Sequence, residues 1–261
     1  MSTERAWLAL WLDAPLQSWG FESRFERRHT GMFPTKSGVL GMLCAASGAL
    51  KGSSREREIL DAFALPGITT VRVPRRPRGR DLPVRRLTDY HTILGTRTAD
   101  NPKPREKQTV QTWRDYLLDA RFVVLLPGTP AAVADAARAF SEPVWGVWFG
   151  RKSCIPATPV LVSVEAGETR ITSFADRDAA WRAALAFGAQ LDESYAFPPD
   201  TALESFTHVV DADSFPDGTD TWNDAPQSFG RPDSSGVEGR AFTPRRVRVR
   251  APQAPIINPE S

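Results

Sequence analysis

The chain is poor in cysteine and histidine and has no long apolar run. Its 261 residues include two cysteines and three histidines. Cys44 and Cys154 lie far apart without a CxxC motif, so neither a disulfide framework nor a zinc site is expected. No apolar stretch nears the roughly 20 residues of a membrane-spanning helix, and the opening MSTERAW lacks the regions of a signal peptide. We therefore expect a cytoplasmic globular protein with no metal, no other cofactor and no membrane partner, in which Cys44 belongs to the core.

A net charge of only +2 conceals an uneven distribution. Seven arginines fall between Arg72 and Arg86, and an acidic group follows between Asp211 and Asp224. Local basicity indicates a polyanionic partner. Arginine favours nucleic acid over other polyanions, because guanidinium pairs with phosphate bidentately and stacks on bases. A solvated charged loop is the other interpretation of the arginine run, and composition alone leaves both open.

The apolar pattern predicts a mixed α+β chain. Ala6 to Leu12 is apolar on both alternating faces, which is typical of a central strand. Ser53 and Glu56 form a capping box that begins a second helix. The remaining predicted strands are 68–73, 122–126, 144–149, 160–164 and 242–250, and the remaining helices are 37–50, 130–140 and 178–187. This order predicts a ferredoxin-like antiparallel sheet with helices on one face and a long insertion.

The predicted insertion is a β-hairpin arm from Val71 to Trp113. Prolines exclude a helix over 74–83, residues 84–93 read as extended, and 110–113 can return as the second strand. We expect the domain 1–164 to contain this arm, and residues 165–261 to form a smaller region with an irregular loop at 211–239. The arm residues predicted to contact RNA or a neighbouring subunit are Arg75, Arg76, Arg78, Arg80, His91, Arg97 and Arg114.

A polar, basic loop connects the first strand to the first helix. The first turn of a helix carries free N–H groups and a partial positive charge, which suits an anion near Lys36 and Ser37. Trp19 offers a face on which a base can stack. The candidate binding residues of this loop are Gln17, Trp19, Arg24, Arg27, Arg28, His29, Lys36 and Ser37.

A second basic loop runs from Gly150 to Ser153. Arg151 separates the glycine from Lys152, so the sequence does not fit the phosphate-binding loop of nucleotide triphosphatases. Two cations and a hydroxyl after a predicted strand can contact RNA, and an ordinary charged turn is the alternative. Arg151, Lys152 and Ser153 complete the set of candidate RNA contacts.

Four blocks in one order resemble a known family. They are APLQSWG with the RxxT at Arg27–Thr30 and FPTKSGVLGMLCAA, then LTDYHTILGTR, then QTVQTWRDYLLDARF, and then GRKSCIPATP. Together they resemble the CasD subunits of type I-E CRISPR Cascade, the Cas-five family of the RAMP superfamily. The resemblance is dense from about residue 8 to about residue 164 and thin afterwards.

The resemblance implies a modified RNA-recognition fold and a non-catalytic, RNA-binding subunit of an antiviral ribonucleoprotein complex. Such a subunit grips the 5′ handle of the crRNA and caps the backbone filament. The implied partners are the crRNA handle, the adjacent backbone subunit, the large target-recognition subunit and, through the complex, target DNA. In RAMP proteins a glycine-rich loop near Gly150 lies against RNA. A generic RNA-recognition module outside CRISPR is a further alternative, and the four ordered blocks argue against it.

An endoribonuclease is the main alternative function. In type I-C relatives this subunit itself processes CRISPR repeat RNA, and metal-independent cleavage needs a base and an acid around one phosphate. His91, which follows Tyr90, is the best candidate for such a group, and a structural or binding role is the competing interpretation. Trp113 can either stack on a base or anchor the arm, and strand tryptophans are more often core.

Overall fold

The computed structural model describes residues 4–20, 26–64, 67–75, 82–95, 109–198, 200–211, 220–230 and 240–252. The helices are α1 (Lys36–Ala46), α2 (Ser54–Ala62), α3 (Pro130–Ser141) and α4 (Arg177–Leu191). The strands are β1 (Ala6–Asp13), β2 (Leu16–Gln17), β3 (Arg27–Arg28), β4 (Thr69–Arg72), β5 (Arg85–Leu94), β6 (Thr109–Leu118), β7 (Arg121–Gly128), β8 (Val164–Ala166), β9 (Thr169–Ile171), β10 (His208–Asp211), β11 (Asp220–Ser228) and β12 (Ala241–Arg250). None of the helices in these ranges has the length and apolar character needed to cross a bilayer.

The largest sheet has six strands in the order β1-β7-β4-β10-β12-β11. Each neighbouring pair in it is antiparallel. The predicted α+β class with an antiparallel sheet is therefore confirmed. The sheet also crosses the predicted domain boundary at residue 165, because β10 pairs with β4 through His208–Val71, Val209–Thr70 and Val210–Thr69.

Both faces of the main sheet are covered. Successive strand residues point to opposite faces, so Leu8 and Leu10 pack with α1, α2 and α3 in one core cluster. Ala9 and Trp11 point the other way, into a second cluster with Trp181 of α4. The expectation that the helices lie on one face is correct for α1–α3 and wrong for α4. The reason is that β1 is apolar on both faces, so each face needs a cover.

The predicted arm is present as a hairpin of β5 and β6, paired from Arg85–Leu118 to Leu94–Thr109. We call this hairpin the arm. Its base continues into a small sheet in which β6 also pairs with β2 and, in parallel, with β3. The arm starts later than predicted, since Val71 and Arg72 belong to β4 of the main sheet.

Two predicted strands and one predicted loop differ from the structure. Residues 144–149 form no strand, and 160–163 contain only an isolated bridge between Leu161 and Leu10. The apolar residues there are instead fixed by single backbone bonds, such as the bond that Val144 N donates to Ala46 O over 2.8 Å. Conversely, β11 lies within 211–239, where we predicted an irregular loop.

Candidate nucleic-acid interface

Gln17 and Trp19 are structural rather than exposed. The Gln17 amide is fully buried and donates to Leu12 O over 3.0 Å and to Ala120 O over 2.6 Å. Its Oε1 accepts a hydrogen bond from Trp19 Nε1 over 3.0 Å. Both residues were predicted to contact RNA. The internal hydrogen bonds of Gln17 and the burial of the Trp19 ring, which is 1% exposed, contradict that role. They hold the end of β1 against β7 and seat the indole in the core.

The Trp19 ring explains a glycine in α1. A Cβ at Gly38 would lie 2.8 Å from Trp19 Cε3, so only glycine allows the first turn of α1 to rest on the indole. The ring also stacks against Phe149 with 6.0 Å between centroids. Close packing against Trp19 therefore accounts for the glycine at position 38.

Lys36 is also buried, and the N-terminus of α1 is already occupied. Lys36 is 4% exposed and its Nζ donates to Ala64 O over 2.6 Å. Its backbone N–H donates to Asp224 Oδ2 over 2.8 Å, and Thr35 Oγ1 accepts from Gly38 N. Burial lowers the pKa of Lys36. The anion expected at this helix start is therefore the internal carboxylate of Asp224, and the predicted role of Lys36 as a phosphate ligand is wrong.

Asp224 belongs to a buried ionic cluster that joins the two halves of the chain. Arg245 donates to it twice, from Nε to Oδ1 over 2.8 Å and from Nη2 to Oδ2 over 2.7 Å. Arg245 Nη1 also donates to Asp211. Desolvation opposes the charge of Arg245, but the two carboxylates more than offset it and raise the pKa of the guanidinium. The cluster therefore fastens β11 and β12 to the start of α1.

A set of exposed cations lies beside the base of the arm. Arg27 and Arg28 form β3, whose backbone pairs in parallel with Trp113 and Arg114 of β6. The Arg27 guanidinium lies 5.7 Å from the Trp113 ring centroid, and Tyr90 packs on the other strand at 5.4 Å. This half-buried position of Trp113 fits its predicted role as an anchor of the arm. The alternative role, in which Trp113 stacks on an RNA base, stays a prediction.

Arg151 holds this region together. Its Nη1 donates to Asp115 O over 2.9 Å, its Nη2 donates to Arg28 O over 2.7 Å, and its guanidinium lies 4.6 Å from the Tyr116 ring centroid. The loop from Gly150 to Ser153 can pack this closely against Ser18 because Gly150 has φ +99° and no side chain; a Cβ there would lie 1.7 Å from Ser18 O. Lys152 and Ser153 are exposed next to it. Arg151 thus positions the backbone of Arg28 while part of its charge faces the surface.

His29 is an exposed neighbour of these arginines. Its Nδ1 lies 2.9 Å from Asp115 Oδ2, and Thr88 Oγ1 donates to the other oxygen of Asp115 over 2.7 Å. Partial burial works against the charge of Asp115, but these hydrogen bonds hold the pKa of its carboxyl below the usual value. Asp115 therefore remains an ionised acceptor that orients His29.

Several of these residues surround one cleft of about 530 Å³. Predicted candidates that line it are Trp19, as its floor, and Arg28, His29, Ser37 and Arg151. Sequence reasoning missed Asn223, Arg240 and Phe242, which enter from β11 and the start of β12. The available signal in the sequence is the basic run from Arg240 to Arg250, whose first residue reaches the cleft. Arg245 of that run is buried in the ionic cluster.

The remaining predicted residues do not all join the cleft. His91 lies on the arm, with Nδ1 3.9 Å from Asp89 Oδ2, and Arg114 Nε donates to Thr112 Oγ1 over 3.1 Å. Arg75 is exposed at the end of a described range. Arg24, Arg76, Arg78, Arg80 and Arg97 lie outside the described residues.

The described ranges contain no cluster of metal-ligating side chains and no exposed cysteine. No three histidine, cysteine, aspartate or glutamate side chains are arranged there as a metal site requires. Cys44 and Cys154 are both buried free thiols, which confirms the core assignment of Cys44. His208 is buried and its Nδ1 lies 2.8 Å from Phe206 O, so it is a structural residue of β10.

The fold is that of CRISPR-associated proteins. A solved chain described as "CRISPR RNA-guided surveillance complex" superposes with a TM-score of 0.62 and 26% identity, covering 96% of this chain and 91% of that one. A second, "Crystal structure of Cas protein", has a TM-score of 0.53 over 95% of this chain and 99% of its own, and at 24% identity it shows the fold alone.

Sequence comparison assigns the family. The model described as CRISPR-associated protein (Cas_Cas5) matches residues 7–248, so the chain belongs to this family. "CRISPR system Cascade subunit CasD" of Escherichia coli (strain K12) is 35% identical over 164 residues, which are 60% of this chain and 70% of the relative. The resemblance to CasD subunits found in the sequence is thereby confirmed.

Proposed function

We propose that the protein is a non-catalytic, RNA-binding subunit of a type I-E Cascade complex, in which it grips the 5′ handle of the crRNA and caps the backbone filament. Family membership and the name of the CasD relative support this role. The observation that carries it is the charge of the cleft. Its described lining contains the arginines Arg28, Arg151 and Arg240 and no carboxylate.

Such a cleft suits single-stranded RNA. Recognition of an unpaired strand combines phosphate contacts with stacking and polar contacts to base edges. Arg28 and Arg240 are exposed at the cleft, and the Arg240 guanidinium lies 4.9 Å from the Phe242 ring centroid. Asn223 and Ser37 add neutral polar groups. The three kinds of contact are thus available on one surface, supported by α1 and β12.

The arm is proposed to reach the adjacent backbone subunit, with the large target-recognition subunit nearby. Along it, Leu87, Tyr90, Ile93 and Leu94 are exposed although they are large and apolar. Two strands alone bury too little apolar surface to be stable, and exposed apolar patches mark protein contacts. We expect the amides of 85–94 to exchange quickly in the isolated protein and slowly in the complex. Equal protection in both states would argue for a preformed element without a partner.

RNA binding is tested with repeat-derived RNA and arginine variants. Arg28→Ala and Arg240→Ala should each weaken binding and reduce the slope of log K against log salt by about 0.7, the value for one phosphate on a single strand. Arg182→Ala is the matched control, because Arg182 is exposed on α4, on the opposite face of the sheet. Equal slopes in all three variants would remove this cleft from the RNA site.

The absence of catalysis is tested by incubating the protein with repeat RNA in EDTA. Tyr90 and His91 are consecutive in β5, so their side chains point to opposite faces and do not converge on one phosphate. Uncut RNA with the parent protein and with His91→Ala is the expected result. A defined cut by the parent that His91→Ala abolishes, with RNA affinity retained, would establish the endoribonuclease function instead.

A further inference from the structure

A second groove opens beside the cleft and contains two tryptophans. It has a volume of about 440 Å³ and is lined by Trp145, Trp148, Phe229, Lys51 and Lys152 among others. We call it the tryptophan groove. Ser37, Gly38, Gly150 and Arg240 line both the groove and the cleft. The two spaces are therefore neighbours along one surface, with Arg240 at their junction.

The floor of the groove is the small-residue side of α1. Gly41 and Ala45 line it, and a Cβ at Gly41 would lie 3.6 Å from Phe229 Cζ on the far wall. These small residues leave a smooth, open helix surface between aromatic walls. A planar ring can enter such a space, whereas a larger residue at Gly41 would narrow it.

The tryptophan wall is held by the end of α1. Val144 N donates to Ala46 O over 2.8 Å and Trp145 N donates to Ala45 O over 3.3 Å. These carbonyls belong to the last turn of α1, where the C=O groups have no N–H partner inside the helix; Ala45 O also accepts a hydrogen bond from Gly48 N over 3.0 Å. Trp148 folds back over its own chain, so that a Cβ at Gly146 would lie 2.7 Å from its Cζ2. The loop is thus fixed, although Trp145 keeps 42% of its surface exposed.

Charge at the groove favours a polyanion over an apolar protein segment. Lys51, Lys152 and Arg240 lie along its lining. Glu56, the one carboxylate among the described lining residues, is 2% exposed and accepts hydrogen bonds from Gly52 N over 2.6 Å and Phe229 N over 2.7 Å. It therefore presents little negative charge to a ligand. Aromatic walls between lysines and an arginine combine the stacking faces and phosphate contacts by which proteins hold single strands.

We propose that the tryptophan groove is a base-stacking subsite, in which an unpaired nucleotide of the RNA that occupies the cleft inserts its base against Trp145 and Trp148. Lys152 and Arg240 contact the phosphates that flank this nucleotide. The proposal rests on the proposed RNA-binding function and extends the RNA path beyond the cleft. Every base has a stacking face, so the subsite accepts any of the four bases.

The test measures the affinity of repeat-derived RNA for the full chain and for Trp145→Ala. Loss of one base–aromatic stack corresponds to a roughly 5- to 150-fold weaker affinity. Trp145→Phe should retain most of the affinity. Ile155→Ala is the matched control, because Ile155 is a large apolar side chain that is 63% exposed outside the groove. It should leave the affinity unchanged.

An abasic scan identifies the inserted nucleotide. One abasic position should weaken binding to the parent protein by a similar factor, and this loss should disappear in Trp145→Ala, since interacting groups are non-additive. If Trp145→Ala does not fold, the abasic scan with the parent protein is the measurement that tests the proposal. A scan in which no position changes affinity more than twofold overturns the proposal.

Failure of this subsite differs from failure of RNA binding. If the parent binds RNA with a salt dependence that Arg28→Ala reduces, but Trp145→Ala binds equally well, the subsite is refuted and the proposed function stands. If the parent binds no RNA, both the subsite and the proposed RNA-binding function are refuted. If Trp145→Ala blocks assembly with other subunits at unchanged RNA affinity, the groove docks a protein instead and the proposal is overturned.

Discussion

Replacing Asp224 by asparagine should destabilise the protein strongly, although the shape of the side chain is kept. Asp224 is fully buried and accepts three hydrogen bonds, two from Arg245 and one from the backbone of Lys36. All three partners are donors. Asparagine offers one accepting oxygen and an NH₂ group, so at least one donor would face another donor.

The expected magnitude follows from the burial of the pair. Removing one partner of a buried ion pair leaves an uncompensated charge and lowers the free energy of unfolding by about 3–5 kcal/mol. Asp211 still contacts Arg245, which places the expected loss near the lower end, about 3 kcal/mol. This is a large part of the roughly 5–15 kcal/mol by which native domains are stable.

The assay is equilibrium unfolding in urea, followed by far-ultraviolet circular dichroism. Asp119→Asn is the matched control, because it removes the carboxylate of an exposed pair with Arg85 at 2.9 Å, and asparagine tolerates the φ of 49° at that position. Exposed pairs contribute about 0–1 kcal/mol. If Asp224→Asn loses no more stability than Asp119→Asn, the buried cluster does not fasten β11 to α1 and the reasoning is wrong.

Three further predictions concern the glycine loop, the core thiol and the buried lysine. Gly150→Ala should lower stability by well over the roughly 1–2 kcal/mol of left-handed backbone strain, because its Cβ meets Ser18 O. Gly167→Ala isolates the strain alone, because Gly167 has φ +63° and, among the described residues beyond its chain neighbours, no heavy atom lies within 4 Å of its Cβ position. Equal urea midpoints for the two variants would refute the clash. Burial raises the pKa of the Cys44 thiol to about 12 from 9.0. The folded state therefore keeps its proton above pH 9 while the unfolded chain loses it, so stability is full below pH 9 and falls by about 1.4 kcal/mol by pH 10, a loss that Cys44→Ala should remove from urea titrations. Lys36→Met should lower stability through the lost bond to Ala64 but leave the salt slope of RNA binding unchanged, whereas a reduced slope would return Lys36 to the RNA site.

The sequence by itself determined the family, the fold class and the arm. The continuous apolar run of β1 indicates a strand buried on both faces. Strand periodicity around the proline-rich segment indicates the hairpin, because such patterns depend only on local geometry. The four ordered blocks identify the family without any coordinates. The loops of Arg27–His29 and Gly150–Ser153 were also found, since basic residues next to glycine are visible in the chain itself.

Only the tertiary structure decided which polar residues face the solvent. Lys36 and Gln17 have the chemistry of RNA ligands, but each points inward to carbonyls or carboxylates that lie far away in the sequence. Arg240 joins the cleft because β12 pairs with β10 in the main sheet, and no local pattern shows that pairing. Residues 144–149 were predicted to form a strand because their apolar residues suit one, whereas hydrogen bonds to the end of α1 hold them as a wall of the tryptophan groove. Chemistry-bearing residue types are a property of the chain, but their exposure depends on long-range packing that local periodicity does not encode.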